Sequence, residues 1–380
     1  MSLNYIYTDK IREKKAADMT NHTTSALSDF EIEDGVLKVY RGNAEEIVIP
    51  EGVIRIEKDA FQKCFGVQRV VFPSGITEIP ERLFAGCRSL RHITLPDTLR
   101  TIHYDAFSDT LLTEVTIPAG TERIEASAFE GCSFLHTLSL PETIDYLGGF
   151  DGCSLLEDLR IPNSVRTING FKGCTGLREV TFPEGIIEIQ GFDGCSKLRH
   201  IHLPEGLTVI RGFDGCASLA ELKLPDSVRS VGGFCGCFHL QELFVPASMT
   251  HLSGFNGCKS LKTLEFSEGL THLSGFRSCV TLEEALFPES LTHLRGFDDC
   301  TALKYAELPD GLVHLDGFTG CISLTEITIP DSVVDIGYGA FENCTSLSEV
   351  TVPERMADLE EGLFDGCVSL MHITLTSMTA

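Results

Sequence analysis

Fifteen cysteines and a short row of histidines are the side chains of this sequence whose type and spacing could do chemistry. Cysteine can form disulfides, ligate zinc, or attack as a thiolate. Here Cys132, Cys153, Cys174, Cys195, Cys216, Cys237, Cys258, Cys279, Cys300 and Cys321 recur every 21 residues. The interval lengthens to 23 towards both ends, from Cys64 to Cys87 and from Cys321 through Cys344 to Cys367. Stacked strands would hold such a ladder about 4.8 Å apart with parallel Cβ vectors. A disulfide needs Cβ atoms about 3.5 to 4.5 Å apart, so a column of reduced thiols is expected. No C-x₂-C pair occurs, and thiols stacked in a packed wall cannot surround an ion. The C-x-C-x-H spelling of Cys235, Cys237 and His239 is weak as a zinc site because Cys237 belongs to the column. Cys235 stands outside it and is expected at a turn, as an accessible thiol.

His251, His272, His293 and His314 occupy one position of four consecutive repeats, in HLSGF, HLSGF, HLRGF and HLDGF. Imidazoles stacked in this way would discourage one another's protonation, and neighbouring rings can in principle hold a transition metal. Duplication of a repeat yields the same row without any role. With no carboxylate or fourth ligand evident, duplication is the favoured reading, and neither a metal site nor a cofactor is expected. No catalytic residue is expected either. The sequence has no nucleophile elbow, phosphate loop or H-E-x-x-H, and the shallow surface of a repeat protein lacks the enclosed pocket that most catalysis uses.

The elements that must position these residues follow from the same period. Three residues before each cysteine stands a phenylalanine, in a column of fifteen that runs from Phe61, Phe84 and Phe107 to Phe364, Phe107 marking the one repeat without its thiol. Fixed-period self-similarity implies stacked coils around one continuous core. In the unit CTGLREVTFPEGIIEIQGFD, Cys174 to Asp193, the alternation of Val180, Thr181 and Phe182 predicts a short strand. Pro183 ends it, and Pro-Glu-Gly suits a type I turn with proline second and glycine fourth. Ile187, Glu188 and Ile189 alternate again, which predicts a second extended wall. Gly191 and Phe192 turn the last corner, and in the longer coils an extra pair, as in GYGAF before Cys344, predicts a short 3₁₀ or α turn there. The cysteine would be a small inward residue donating to a neighbouring carbonyl.

Hydrophobic residues at 43% and charged residues at 22% supply enough apolar side chain for a core and too little charge for a disordered chain. The net charge of −25 repels phosphate backbones and anionic headgroups, so neither nucleic acid nor a membrane surface is an expected partner. No run of 18 apolar residues is present, so membrane insertion is not expected, and the first residues lack the apolar core of a secretory signal.

These repeats resemble the BspA-like class of bacterial leucine-rich repeats, built on a unit like LTEITIPDSVVDIGYGAFENC at Leu324 to Cys344. The resemblance covers about Phe30 to Leu375, and the lead-in FEIEDGVLKVYRGNAEEIVIP is similar to that family's capping segment, with Asp34-Gly35 placed for a hairpin. It implies a right-handed leucine-rich-repeat solenoid, mostly β, with parallel strands stacked into a long sheet, found in secreted, surface and cytoplasmic proteins with adhesion or protein-binding roles. Departures are small. Ser267 replaces the turn proline, one coil lacks its cysteine, and the nine 21-residue intervals are shorter than the usual 23.

The expected organisation is a tail or short helix over 1–28, a capping hairpin over 29–50, a solenoid of about fifteen coils over 51–376 and a tail over 377–380. Outward positions of the first strand are mostly polar, from Thr94 to Thr374, but Phe244 and Leu286 are not, and Tyr305 lies near. An aromatic beside apolar groups is the composition of an interaction hot spot, which makes Phe244, Glu265, Leu286 and Tyr305 the candidate partner-binding residues. The expected function is a non-catalytic scaffold for another protein or, less favoured, a glycan. An architectural spacer that self-assembles through an open solenoid edge is the alternative. The chain as given carries no export address and reads as cytoplasmic, with a secreted or surface location the alternative drawn from the resemblance.

Overall fold

The structure is a computed structural model and describes residues 23–61, 64–356 and 362–376. The expectations for residues 1–22 and 377–380 lie outside it. The chain divides into two compact units, Met1–Ile144 and Asp145–Ala380. Each is a stack of coils made of short parallel strands. Among the described residues the helical segments are 3₁₀ turns, Leu27–Asp29 and Glu354–Met356.

The first unit opens with an antiparallel hairpin, β1 (Phe30–Glu33) and β2 (Val36–Tyr40). Asp34 at φ 47° and Gly35 at φ 75° form its turn; two consecutive left-handed residues match the twist of the strands they join. Val36 and Leu37 then pair in parallel with Arg55 and Ile56. One wall continues through Glu46–Val48, Arg69–Val71 and His92–Thr94, and the other through Glu78–Ile79, Thr101–Ile102 and Arg123–Ile124.

The second unit repeats the two walls with shorter coils. Its second wall forms two five-stranded parallel sheets, and its first wall continues the parallel stack as sheets of two or three strands. Each first-wall strand spans only three to five residues, so losing one or two ladder bonds is enough to end a sheet.

Two local readings need correction. In the Cys174 coil the turn bond runs from Ile186 N–H to Pro183 O at 3.1 Å, which places proline first, not second, with Glu184 and Gly185 at the centre. Proline lacks an N–H but keeps its carbonyl, so it can end the strand and still accept this bond. The shift also moves the inward residue: Ile186 is buried and Ile187 is 51% exposed. The inward pair of the second wall is therefore Ile186 and Ile189.

Phe150 through Phe341 are buried without exception in the second unit's column, as are Phe61 through Phe129 in the first, and Phe364 is half-buried. Around Phe192 the rings stack nearly parallel at 5.5 Å to Phe171 and 5.3 Å to Phe213. Along the 21-residue ladder the thiols donate backwards by one coil: Cys174 Sγ reaches Phe150 O at 3.2 Å, Cys195 reaches Phe171 O at 3.2 Å and Cys216 reaches Phe192 O at 3.3 Å. In the repeat without a thiol, buried Thr110 fills the place and its hydroxyl donates to Phe107 O at 2.9 Å.

Coil length is set at the corner before the phenylalanine. In the 21-residue coils a glycine there lies left-handed against the previous coil; at Gly212, φ is 73° and an added Cβ would stand 2.5 Å from Gly191 N. In the longer coils alanine or leucine takes the place, as Ala340 before Phe341 and Leu83 before Phe84, and two more residues close a turn of 3₁₀ type, as where Ala340 N–H donates to Gly337 O at 3.1 Å.

Candidate functional site

The described surface offers two features, one on each wall of the second unit. On the first wall, Lys223, Phe244 and Glu265 lie side by side in register, and Leu286 pairs with Glu307 two coils on. Phe244 is 46% exposed and Leu286 is 52% exposed, while Leu243 and Ala285 next to them point into the core. Strand alternation accounts for this, since successive side chains take opposite faces. Tyr305, 39% exposed, shares the face but belongs to the neighbouring column, opposite Glu284. Exposed Glu221, Glu242, Glu265, Glu284 and Glu307 surround these apolar groups. Lys304 is engaged with Glu283 at 2.7 Å.

On the second wall, His251, His272, His293, His314 and Asp335 are consecutive rungs of one parallel sheet. The imidazoles stack at centroid distances of 4.2, 4.1 and 4.3 Å, tilted by 11° to 27°. They line an open groove of about 390 Å³ that Arg295, Asp316 and Asp335 also border. The hydrogen bonds settle which ring nitrogen carries the proton. Thr271 Oγ1 donates to Thr250 O at 3.0 Å and Thr292 Oγ1 donates to Thr271 O at 3.0 Å. Each hydroxyl has one proton, so the Nδ1 atoms of His272 and His293, both 2.9 Å from those hydroxyls, must donate to them. His314 Nδ1 donates to Asp335 Oδ2 at 3.2 Å. In the neutral form of His272 and His293 these bonds leave Nε2 as the acceptor nitrogen. Desolvation first, then the neighbouring histidines and Arg295, hold His272 and His293 below the ordinary imidazole value.

The threonines and Asp335 were not read from the sequence as partners of the row. The signal was present as the repeated Thr-His-Leu, but Asp335 becomes a fifth rung only when the coils are in register, and it supplies the carboxylate that the sequence pattern lacked. Cys235, Cys237 and His239 are not brought together. Cys237 is buried and donates to Phe213 O at 3.5 Å, His239 Nδ1 contacts Ala217 O at 2.7 Å, and burial raises the half-buried Cys235 thiol. Among the described residues no three His, Cys, Asp or Glu side chains converge as a metal cage, and no helix is long and apolar enough to cross a membrane.

The comparisons with known proteins agree with this architecture. The chain matches the model of the BspA type leucine rich repeat region over residues 31–149, 148–253, 190–304 and 311–380. No curated protein matches it. Among solved structures, a leucine-rich repeat protein from Bacteroides ovatus is 25% identical, covers 88% of this chain and 84% of its own, and superposes with a TM-score of 0.71. A leucine rich cell surface protein from Faecalibacterium prausnitzii is 22% identical over 90% of this chain and 91% of its own, with a TM-score of 0.44. The T. pallidum leucine rich repeat protein is 27% identical over 52% and 91%, with a TM-score of 0.39. Only the first carries weight for the fold. Leucine-rich repeats of this type are non-enzymatic scaffolds that generally serve protein–protein interaction or adhesion. With its phenylalanine and cysteine columns, its two-walled coils and family matches over most of its length, the chain belongs to the BspA-type leucine-rich repeat family.

Proposed function

We propose that the chain is a non-catalytic scaffold that binds another protein through the first-wall face at Phe244, Glu265, Leu286 and Tyr305. The observation that carries this reading is the exposure of Phe244 and Leu286 at two positions of a column that is otherwise polar within the second unit. Large apolar groups ringed by polar ones are the composition of interface hot spots. The surrounding carboxylates add a selection rule: a partner that seats an apolar cluster here must bring basic residues to its rim, because unpaired like charges would repel it.

The test is an unbiased capture of partners from native material with wild type and with the Phe244→Ser, Leu286→Thr double variant. Binding of any captured partner is then measured beside thermal stability. The reading expects affinity to fall by about 2 kcal/mol or more, with stability changed by less than about 0.5 kcal/mol as for ordinary surface sites. Unchanged affinity would remove this face from consideration.

A further inference from the structure

The last described strand, His372–Thr376, lies at the edge of its sheet and is bonded on one side only, to Glu349–Pro353. We propose that this edge pairs antiparallel with the same strand of a second copy, joining two chains about a two-fold axis at Thr374.

Burial marks the edge as unfinished. Ile373 and Leu375 stand in register with Val350 and Val352, which are buried. They take the same inward positions, yet each is 48% exposed. The rest of this coil repeats the pattern: Phe364, Cys367 and Leu370 are half-buried, where Phe341, Cys344 and Leu347 are buried. Core-type side chains are thus left facing water beside an unpaired strand backbone, a combination that invites strand pairing.

The backbone fits a copy of itself. His372 N–H donates to Ser348 O at 3.2 Å, so strand alternation turns the N–H and C=O groups of Ile373 and Leu375 to the open side. In an antiparallel pair centred on Thr374, Ile373 of one chain meets Leu375 of the other, and the two exchange both of their backbone bonds. Directly opposed residues share a face. The same register therefore sets Ile373 against Leu375 on the core side and Thr374 against its own copy on the outer side.

Charge and the guarding of the other edge select the occupant. Residues 368–376 contain no Asp, Glu, Lys or Arg, in a chain of net charge −25. Two such chains repel each other least where neither presents charge. The free edge of the first unit's hairpin is different: β1 carries exposed Glu31 and Glu33 and a bulge between Glu31 and Ile32. Edge charges and bulges block strand addition, which disfavours head-to-tail growth and leaves the isologous contact of the open edge with itself.

The experiment is analytical ultracentrifugation of the full chain over a wide concentration range, for wild type, Thr374→Lys, Thr374→Glu and an equimolar mixture of the two variants. Wild type is expected to pass from one chain mass to two as concentration rises. Each variant alone sets like charges opposite each other across the axis and is expected to raise the dimer dissociation constant about tenfold or more. The mixture is expected to recover dimerisation, because opposite charges then face each other. Thr374 is exposed on the outer face, so neither change enters the core, and recovery in the mixture shows that both variants are folded. A wild type that stays monomeric throughout leaves the edge to some other partner and overturns the proposal. So does a mass that grows past two chains, dimerisation untouched by the single variants, or a mixture that fails to recover.

Discussion

Replacing Phe192 by alanine probes the column that holds the second unit together. Its ring is fully buried, stacked at 5.5 Å on Phe171 and 5.3 Å on Phe213, with Phe182 edge-on at 5.7 Å. Burial of such a side chain stabilises by about 1.5 to 3 kcal/mol, and each well-placed aromatic pair adds about 0.5 to 1.5 kcal/mol. The aligned coils on either side limit collapse into the void, so the expected loss is about 3 to 5 kcal/mol, the range for buried Phe→Ala changes. Denaturant unfolding followed by circular dichroism measures it, with Phe364→Ala as the internal comparison. Phe364 is half-buried and has Phe341 on one side at 5.7 Å, so its truncation should cost clearly less. Hydrogen exchange locates the damage: the bonds from Phe171 N–H to Gly191 O at 2.8 Å and from Phe192 N–H to Gly212 O at 2.6 Å should lose protection first. A loss below about 1 kcal/mol at Phe192, or equal losses at the two sites, would refute the idea that the ring column carries coil-to-coil cohesion.

Gly212→Ala and Gly173→Ala share a left-handed backbone, with φ of 73° and 72°, but an added Cβ meets Gly191 N at 2.5 Å in the first and nothing nearer than 3.9 Å in the second. Both should lose about 1 to 2 kcal/mol from the conformation, and Gly212→Ala distinctly more, read as the difference between their unfolding midpoints. Burial pushes the thiol of Cys195 up to about 12 and that of Cys132 to about 11, so native alkylation at neutral pH followed by mass spectrometry should label the half-buried Cys235 and Cys367 well before these two. Labelling of Cys195 at the rate of Cys235 would contradict the packing described for the ladder.

The coil and its period were open to reading because Phe and Cys recur at one spacing and both are inward. No competing element explains fifteen phenylalanines each three residues before the same position. The turn was misplaced because Pro183 and Gly185 fall on the favoured second and fourth positions of a type I turn over 182–185, whereas the bond from Ile186 N–H to Pro183 O sets the frame one residue later. With that one-residue shift it is Ile186, and not Ile187, that packs inward with Ile189. At the candidate sites, Phe244 and Leu286 were legible because strand alternation assigns faces residue by residue. The proton positions on His272 and His293 were not, because they depend on Thr271 reaching the carbonyl of Thr250 one coil earlier, a contact set by register between coils.

The thiol bonds from Cys174, Cys195 and Cys216 to the phenylalanine carbonyl of the preceding coil span 24 residues each. Every coil in this stretch thus carries half of two identical fastenings, one facing each neighbour. A deletion or duplication of one whole 21-residue unit rejoins matching halves and leaves every fastening of the same kind. A change of any other length leaves a thiol facing the wrong carbonyl and moves the inward rings off the column. Genetic variation in this stretch should therefore be tolerated in whole-coil steps, so that the solenoid can change the length of its walls without redesigning its interior.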